Sequence, residues 1–371
     1  MNNNLFSSTK GQSLSSLLQP LKSPVSLASV ALLTGVGVGI LPVLASSKLS
    51  STPSEQLVAQ KPKAEITLVS FAVTQAAYSK IIPLFTAKWK KEKNQDIEIR
   101  QSYGGSGSQT RAVIDGLEAD VVALALAGDT EKIQKAGLIK PGWEKEAPNG
   151  AIVTRSVAAL VTRQGNPKKI NNWPDLVKPG VKVITANPKT SGGAQWNFLA
   201  LWGAVTQTGG NDQKARQFVT QVYNNAPVLP KDAREASDVF FKQGQGDVLI
   251  NYENEVILAK QKGEGNFSYT IPAVNISIDN PVAVVDKNVD KHKTREVSEA
   301  FVKFLFTPEA QREFAKVGFR PVNTTVSKEV STKFPKVNKL STVQNFGGWP
   351  NIQKKFFADG AIFDQIQGTN R

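Results

Sequence analysis

Cysteine is absent from the 371-residue sequence. Its absence excludes a disulfide framework, a thiolate zinc site, a cysteine nucleophile and a lipid anchor attached to cysteine. Histidine occurs once, at His292 between two lysines, which is more typical of a solvent-exposed side chain than of a metal ligand or a catalytic base. The sequence therefore predicts no metal site and no cofactor.

The common sequence motifs of enzymes are missing as well. The glycine-rich run at 104–108 lacks the Lys-Ser/Thr ending of a P-loop, and Ser108 stands where a nucleophile elbow needs its last glycine. A serine hydrolase would also need a base, and His292 is the one histidine. Glu253 and Glu255 stay open as a carboxylate pair for acid–base work, although such a pair is also typical of the first turn of a helix. We predict no enzyme and no catalytic residues.

Negative charge is scarce relative to positive charge, because 45 Lys and Arg face 31 Asp and Glu and the net charge is +14. This excess favours an anionic partner, which is a nucleic acid, an acidic polymer or membrane, or a small anion. The basic residues do not form one block. The lysines between Lys88 and Lys93, for example, alternate with Trp89 and Glu92, as on a solvated helix face. We predict no nucleic-acid partner.

The amino terminus has the order of features of an export signal. Residues 1–26 carry two lysines and no acidic residue, an apolar segment follows from Leu27 to Leu44, and the residues that end at Ala45 have sizes that suit a signal-peptidase site. The alternative is an uncleaved membrane anchor, which three glycines and a proline in the apolar segment weaken. We expect a signal peptide over 1–45, export to the periplasm after cleavage near Ala45, and a linker over 46–64.

From Glu65 onward, strand-like segments alternate with segments of helical spacing, which predicts an α/β fold with largely parallel sheets. Ile152–Thr162 is predicted as one strand, and Gln75–Lys91 and Gln109–Ala119 as helices. Pro83 lies inside the first of these helices and predicts either a kink or a later helix start.

Several predicted strands lead through small residues into a helix. The N–H groups at helix N-termini are unpaired and carry partial positive charge, so several such ends that converge would bind a tetrahedral oxyanion. Singly, each is also explained as a tight turn with a helix cap. These junctions are Gly104-Gly105-Ser106-Gly107, Ser191-Gly192-Gly193, Asp232-Ala233 and, more weakly, Phe71-Ala72-Val73-Thr74.

Longer motifs carry a family resemblance. The stretches 101–107 (QSYGGSG), 187–194 (NPKTSGGA) and 246–255 (GDVLINYENE) resemble the periplasmic sulfate-binding proteins of ABC importers, and 346–349 and 363–366 do so too. The resemblance extends from about Glu65 to Ile366, and NPKTSGG is its most specific part.

The resemblance implies a two-lobed periplasmic-binding-protein fold of type II, with a hinge between the lobes and the ligand in the cleft. We expect lobe 1 from 65–149 and 253–324, lobe 2 from 150–252, and a C-terminal helical segment over 325–371. The implied function of this chain, a monomer, is to capture sulfate and deliver it to the membrane permease subunits of an ABC importer. Two alternatives stay open: the same scaffold with thiosulfate or another tetrahedral oxyanion, and a basic envelope protein that binds an acidic polymer.

The resemblance also implies the ligand-binding residues, which are Ala72, Ser106, Ser191, Gly192, Gly193, Ala233 and Tyr252. Ser106 would give its hydroxyl and its N–H, and most of the others would give backbone N–H groups. Tyr252 stands where the family usually has tryptophan, so that a phenol, which both donates and accepts, replaces an indole donor. Gln195 replaces the family's arginine, which puts in doubt the charged link between lobes usually attributed to that arginine. Asp232 is predicted as a helix N-cap; if it faced the anion instead, it would favour a protonated ligand such as hydrogen phosphate.

Overall fold

The computed structural model describes residues 61–368, so the predicted signal peptide and residues 46–60 of the predicted linker lie outside the described residues. The first strand begins at Lys61, inside the range predicted as linker. Across the described part of the chain, the helices are too short or too polar to cross a membrane.

Residues 61–368 contain twelve strands and thirteen α-helices, besides short 3₁₀ and π segments. The strands are β1 Lys61–Phe71, β2 Gln95–Gly104, β3 Val121–Ala123, β4 Ile152–Ser156, β5 Ala158–Arg163, β6 Val183–Ile184, β7 Val248–Tyr252, β8 Phe267–Thr270, β9 Val274–Ile276, β10 Ile278–Val284, β11 Arg320–Pro321 and β12 Lys339–Ser341. The helices are α1 Gln75–Lys93, α2 Ser106–Ile114, α3 Ala127–Lys135, α4 Gly192–Thr206, α5 Asp212–Asn224, α6 Ala233–Phe241, α7 Glu253–Lys262, α8 Asp286–His292, α9 Arg295–Phe304, α10 Pro308–Lys316, α11 Thr324–Glu329, α12 Gly348–Ile352 and α13 Ile362–Gly368.

The strands form two main sheets, one in each lobe. The first has the order β11-β4-β10-β3-β1-β2 and the second the order β6-β7-β5-β8. The prediction of largely parallel sheets is wrong, because β10 and β5 run antiparallel to their neighbours. Each of these two strands is the first in its sheet after the chain has crossed from the other sheet, so it enters from the opposite end.

The first crossing explains another wrong prediction. The segment predicted as one strand, Ile152–Thr162, is two strands in different sheets, joined at Val157. Val157 is itself buried, so the apolar pattern continues through the crossing and hides it. The chain returns to the first sheet between Thr270 and Ile278. Strand β4 lies after the predicted boundary at 150 but pairs in the first sheet, and β8 lies after the predicted boundary at 252 but pairs in the second. Sheet pairing thus places the crossings later than the predicted boundaries at 150 and 252.

Two helices near the cleft differ from their predicted bounds. Helix α1 begins at Gln75 as predicted, continues through Pro83 as one helix, and ends at Lys93 rather than at Lys91. Helix α2 begins at Ser106, three residues before the predicted start, and ends at Ile114 rather than at Ala119. The earlier start places Ser106 in the first turn of the helix, where its N–H has no partner within the helix.

The C-terminal segment, predicted as helical, also contains strand β12, which pairs in parallel with β9. Its Trp349 packs against the ring of Trp196 on α4, with 4.9 Å between ring centroids, and lies against Gly128 of α3. The indole N–H of Trp196 donates to Ala125 O at 2.8 Å, just beyond strand β3. The segment therefore packs across elements of both lobes.

A cluster of side chains fastens β1 and β3 to the α8–α9 region. The buried carboxylate of Asp120 accepts hydrogen bonds from Thr67 N at 2.7 Å and from Thr294 Oγ1 at 2.6 Å. The ring nitrogens of His292 lie 2.9 Å from Asp120 Oδ1 and 2.9 Å from Glu118 Oε2. His292, expected to be solvent-exposed, is therefore largely enclosed between two carboxylates. Burial lowers its pKa, but the hydrogen bonds and charges of Asp120 and Glu118 outweigh burial and raise it above 6.5.

This cluster predicts a pH-dependent contribution to stability. Because the folded-state pKa of His292 is raised, its contribution is complete below about pH 6.5 and is lost as the pH rises through the folded-state value. We expect His292→Gln to lower the free energy of unfolding by about 1 kcal/mol at about pH 5.5, and by less at about pH 8.5. Urea unfolding of both proteins at the two pH values measures this difference, and an equal loss at both would contradict the assignment.

Candidate functional site

The seven sequence-predicted site residues lie around one small cavity between loops of the two sheets. They are Ala72, Ser106, Ser191, Gly192, Gly193, Ala233 and Tyr252, and the cavity is also lined by other residues of the same predicted junctions and by Ala125, which the sequence did not single out. The cavity has a volume of about 10 Å³, close to the smallest that admits one water-sized group. Its size favours a single compact ion over an amino acid, a sugar or a peptide.

Helix starts from both lobes meet at this cavity. Ser106 opens α2 in the first lobe, and Gly192 and Ala233 open α4 and α6 in the second. A fourth contribution is the 3₁₀ turn that begins at Ala72, directly after β1. The lobes approach closely here, because a Cβ atom on Gly192 would lie 3.1 Å from Ser106 Cβ. The N–H groups of these first turns have no carbonyl of their own helix to bind, so they are the donors that the cavity offers.

The helix caps in the second lobe follow from local sequence. Ser191 Oγ accepts from Ala194 N at 3.3 Å, which leaves the hydroxyl proton of Ser191 available as a donor. Asp232 Oδ1 accepts from Glu235 N at 2.9 Å, so the prediction that Asp232 is an N-cap is confirmed.

The hydroxyl of Ser106 is engaged within its own lobe. It donates to Asp129 Oδ2 at 2.7 Å and accepts from Ala125 N at 3.0 Å. Asp129 is wholly buried, and its other carboxylate oxygen lies 2.9 Å from Lys132 Nζ. A hydroxyl has one proton, so the proton of Ser106 is directed at Asp129 and away from the cavity. Asp129 is not among the sequence-predicted site residues, although it follows small residues at the junction from β3 to α3, the same signal as at the other loops.

The hydroxyl of Tyr252, unlike that of Ser106, is buried without a hydrogen-bond partner among the described residues. Tyr252 as a whole is 1% exposed. A Cβ atom on Gly193 would lie 3.0 Å from this oxygen, which places the hydroxyl beside the start of α4. Burial, together with the charges of Glu255 and Asp129, raises the pKa of Tyr252 well above its usual value, so the phenol keeps its proton. An unpaired buried hydroxyl costs about 1–3 kcal/mol, which a ligand at the cavity would recover.

A layer of polar contacts holds the start of α6 behind the cavity. Asn251 Nδ2 donates to Ala233 O at 2.7 Å. Glu255 accepts from Arg234 Nη2 at 2.7 Å and from Ser237 Oγ at 2.8 Å. Burial raises the pKa of Glu255 to about 6, although the charge of Arg234 and the hydrogen bond from Ser237 oppose that rise. These contacts fix the direction of the Ala233 N–H.

The carboxylate pair that stayed open as an acid–base couple is divided between separate ion pairs. Glu253 is buried and binds Arg320 through Nε at 2.7 Å and Nη2 at 3.0 Å, whereas Glu255 binds Arg234. Within residues 61–368, His, Asp and Glu form no group of three or more that could hold a metal ion. The cavity is lined mainly by hydrogen-bond donors, and the carboxylate in its lining, Asp232, is occupied as the cap of α6.

The NPKTSGG loop is fastened to the C-terminal segment. Lys189 Nζ lies 2.8 Å from Asp364 Oδ2 and donates to the carbonyl of Phe357 at 3.1 Å. Gln195, at the position of the family's arginine, donates to Pro188 O at 3.1 Å and accepts from Gln353 Nε2 at 2.8 Å. Gln195 thus adds a link of uncharged hydrogen bonds between the loop and the C-terminal segment.

Comparison with known proteins gives consistent matches over most of the chain. A family profile described as bacterial extracellular solute-binding protein matches residues 66–320. The chain is 59% identical over 342 residues to a sulfate-binding protein of Synechococcus elongatus, which covers 92% of this chain and 95% of that one. It is 60% identical over 318 residues to a sulfate-binding protein of Synechocystis, which covers 85% of this chain and 90% of the relative. A solved structure, the sulfate-binding protein SubI from Mycobacterium tuberculosis H37Rv, matches with a TM-score of 0.73 and 37% identity over 80% of this chain and 100% of its own.

The unpaired hydroxyl of Tyr252 predicts the effect of its removal without ligand. We expect Tyr252→Phe to leave the free energy of unfolding unchanged or to raise it by up to about 1 kcal/mol, because no hydrogen bond is lost and a buried polar group is removed. Tyr223→Phe is a matched control, since Tyr223 is also buried with an unpaired hydroxyl but lies on α5. Urea unfolding in sulfate-free buffer measures both variants. A loss above about 1 kcal/mol in Tyr252→Phe alone would mean that its hydroxyl has a partner in the free protein.

Proposed function

Because the chain belongs to the bacterial extracellular solute-binding proteins, we propose that it captures sulfate between its two lobes and delivers it to the membrane permease of an ABC importer. The observation that carries this proposal is the convergence of helix starts from both lobes on one small cavity. We further propose that the chain acts as a monomer in the periplasm, after cleavage near Ala45, a position outside the described residues.

The donor set suits an anion that carries no proton. Backbone N–H groups donate hydrogen bonds and never accept them. Every oxygen of a fully ionised oxyanion can accept from such a group, whereas the O–H of a protonated oxyanion would need an acceptor. Partial positive charge at the starts of α2, α4 and α6 offsets the cost of removing the anion from water. We propose that Ala72, Ser106, Gly192, Gly193 and Ala233 contribute N–H groups, and that Ser191 adds a hydroxyl.

Tyr252 is proposed as the main side-chain donor. Its proton is retained, its oxygen is unpaired, and it lies beside Gly193 in the cavity wall. The hydroxyl of Ser106 reaches the anion only if it leaves Asp129, so we assign it the smaller contribution. The sequence-based expectation, in contrast, has the Ser106 hydroxyl bind the anion directly.

The names of the relatives support sulfate as the ligand. The relatives from Synechococcus elongatus and Synechocystis and the structure from Mycobacterium tuberculosis all carry the name sulfate-binding protein. Thiosulfate is the nearest alternative, because it keeps the charge and tetrahedral shape of sulfate and exchanges one oxygen for a larger sulfur that accepts hydrogen bonds more weakly.

A thermal-shift series tests the ligand assignment. Sulfate, thiosulfate, molybdate and phosphate are compared with chloride at equal ionic strength, so that general salt effects cancel. A ligand that binds only the folded state stabilises it by about 2.7 kcal/mol at a hundred times its Kd. We expect the largest rise in Tm with sulfate. Equal Tm values in all five salts would contradict the proposal.

The Tyr252 hydroxyl gives a sharper prediction. A hydrogen bond to a charged group is worth roughly 1.5–3 kcal/mol, so we expect Tyr252→Phe to weaken sulfate binding about tenfold to a hundredfold. Calorimetric titration measures the change, with Tyr223→Phe as the control that should bind like the wild type. Ser106→Ala should lose less than Tyr252→Phe. A larger loss in Ser106→Ala would mean that its hydroxyl turns from Asp129 to the anion and that our ranking is wrong.

A further inference from the structure

Gly105 of the first lobe lies directly against backbone atoms of the second lobe. It follows β2 in the first lobe, and a Cβ atom built on it would lie less than 3.0 Å from Thr190 O and 3.1 Å from Lys231 O. Both carbonyls belong to loops of the second lobe, before α4 and α6 respectively. A contact this close between a Cβ atom and a backbone oxygen does not occur in relaxed structures. The lobes can therefore approach this closely only if the residue here is glycine, whose side chain is a hydrogen atom.

The backbone conformation of Gly105 does not explain the glycine. Its φ of −61° and ψ of 134° are ordinary for any residue. Alanine at this position is therefore compatible with the first lobe by itself. The constraint comes from the second lobe, at the distance that the closed cleft imposes.

Neighbouring contacts reinforce the same junction. Gly107 N donates to Thr190 O at 3.1 Å, and Arg111 Nη1 donates to Lys189 O at 3.3 Å. Thr190 Oγ1 donates to Lys231 O at 2.6 Å, which joins the two second-lobe loops. One face of α2 in the first lobe is thereby hydrogen-bonded to a preassembled pair of loops in the second.

We propose that this contact of Gly105 and Gly107 with Thr190 and Lys231, the closure latch, sets how closely the lobes approach and so positions the donors around the anion. The inference rests on the proposed function. Ser106 directly follows Gly105, and Ser191 directly follows Thr190, so a wider gap at the latch separates donors of the two lobes. Gly105 is a positioning residue, because it acts through the approach of the lobes.

Gly105→Ala tests the latch. Over-packing of a tight contact costs enough to weaken sulfate binding about tenfold to a hundredfold, as measured by calorimetric titration. Small-angle X-ray scattering should show that sulfate compacts the wild type more than the variant. Circular dichroism in sulfate-free buffer should match the wild type, because the first lobe accommodates alanine and a small separation of the lobes relieves the contact.

Two further glycines provide a graded series. A Cβ atom on Gly107 would lie 3.3 Å from Thr190 O, so Gly107→Ala should cause a smaller loss and decides the question if Gly105→Ala does not fold. Gly203→Ala is the control, because its added methyl group would meet Phe346 at an ordinary 3.4 Å, and it should bind sulfate like the wild type.

The outcomes separate this inference from the proposed function. Wild-type affinity and compaction in both Gly105→Ala and Gly107→Ala would overturn the latch while leaving sulfate capture intact. A wild type that responds to thiosulfate or phosphate and not to sulfate would overturn the proposed ligand, and the latch is then judged with that anion on the same variants. A wild type that compacts with none of these anions would overturn both.

Discussion

A doubly charged anion can be taken out of water only where fixed hydrogen-bond donors replace its hydration shell. In the site that we propose, peptide N–H groups at the starts of α2, α4 and α6 and at the turn after β1 would meet this constraint. The turn after β1 and the starts of α2 and α4 follow strands that end at the cleft, as an open α/β sheet provides at the carboxyl ends of its strands, whereas α6 is reached through a loop from helix α5. The two-sheet architecture, the small residues in the loops and the near contact of the lobes all follow from bringing these ends together.

The arrangement has a cost that the surrounding structure offsets. The Tyr252 hydroxyl is buried without a partner, and carbonyls of the second lobe lie closer to Gly105 than any side chain would allow. Rigid supports hold these groups in place: Asn251 binds the carbonyl of Ala233, and Lys189 fastens the NPKTSGG loop to the C-terminal segment. An apolar cluster that reaches from the first sheet through α4 to the C-terminal segment supplies much of the stability behind them.

The sequence was most informative where the physical cause is local. Helix caps at Ser191 and Asp232 depend on a few neighbouring residues, and their positions agree with the structure. The predicted small-residue loops do line one cavity, but the expectation that a strand leads into each of them is wrong for Asp232-Ala233, which follows helix α5. Contacts between residues far apart in the sequence could not be predicted from local pattern. Asp129 lies 23 residues from Ser106, and His292 lies 172 residues from Asp120. The crossing at Val157 was hidden for a different reason, because a continuous apolar run is compatible with one strand or with two.

Calorimetric titration with sulfate at increasing sodium chloride concentration tests the central claim most directly, that peptide donors in a closed cavity hold the anion. Because a buried site is screened little by salt, we expect one sulfate per chain and a Kd that changes less than about fivefold between roughly 50 and 500 mM salt. A steep fall of affinity with salt, of the kind that accompanies counterion release, would contradict this account and favour binding of acidic polymers by the chain's excess of basic residues.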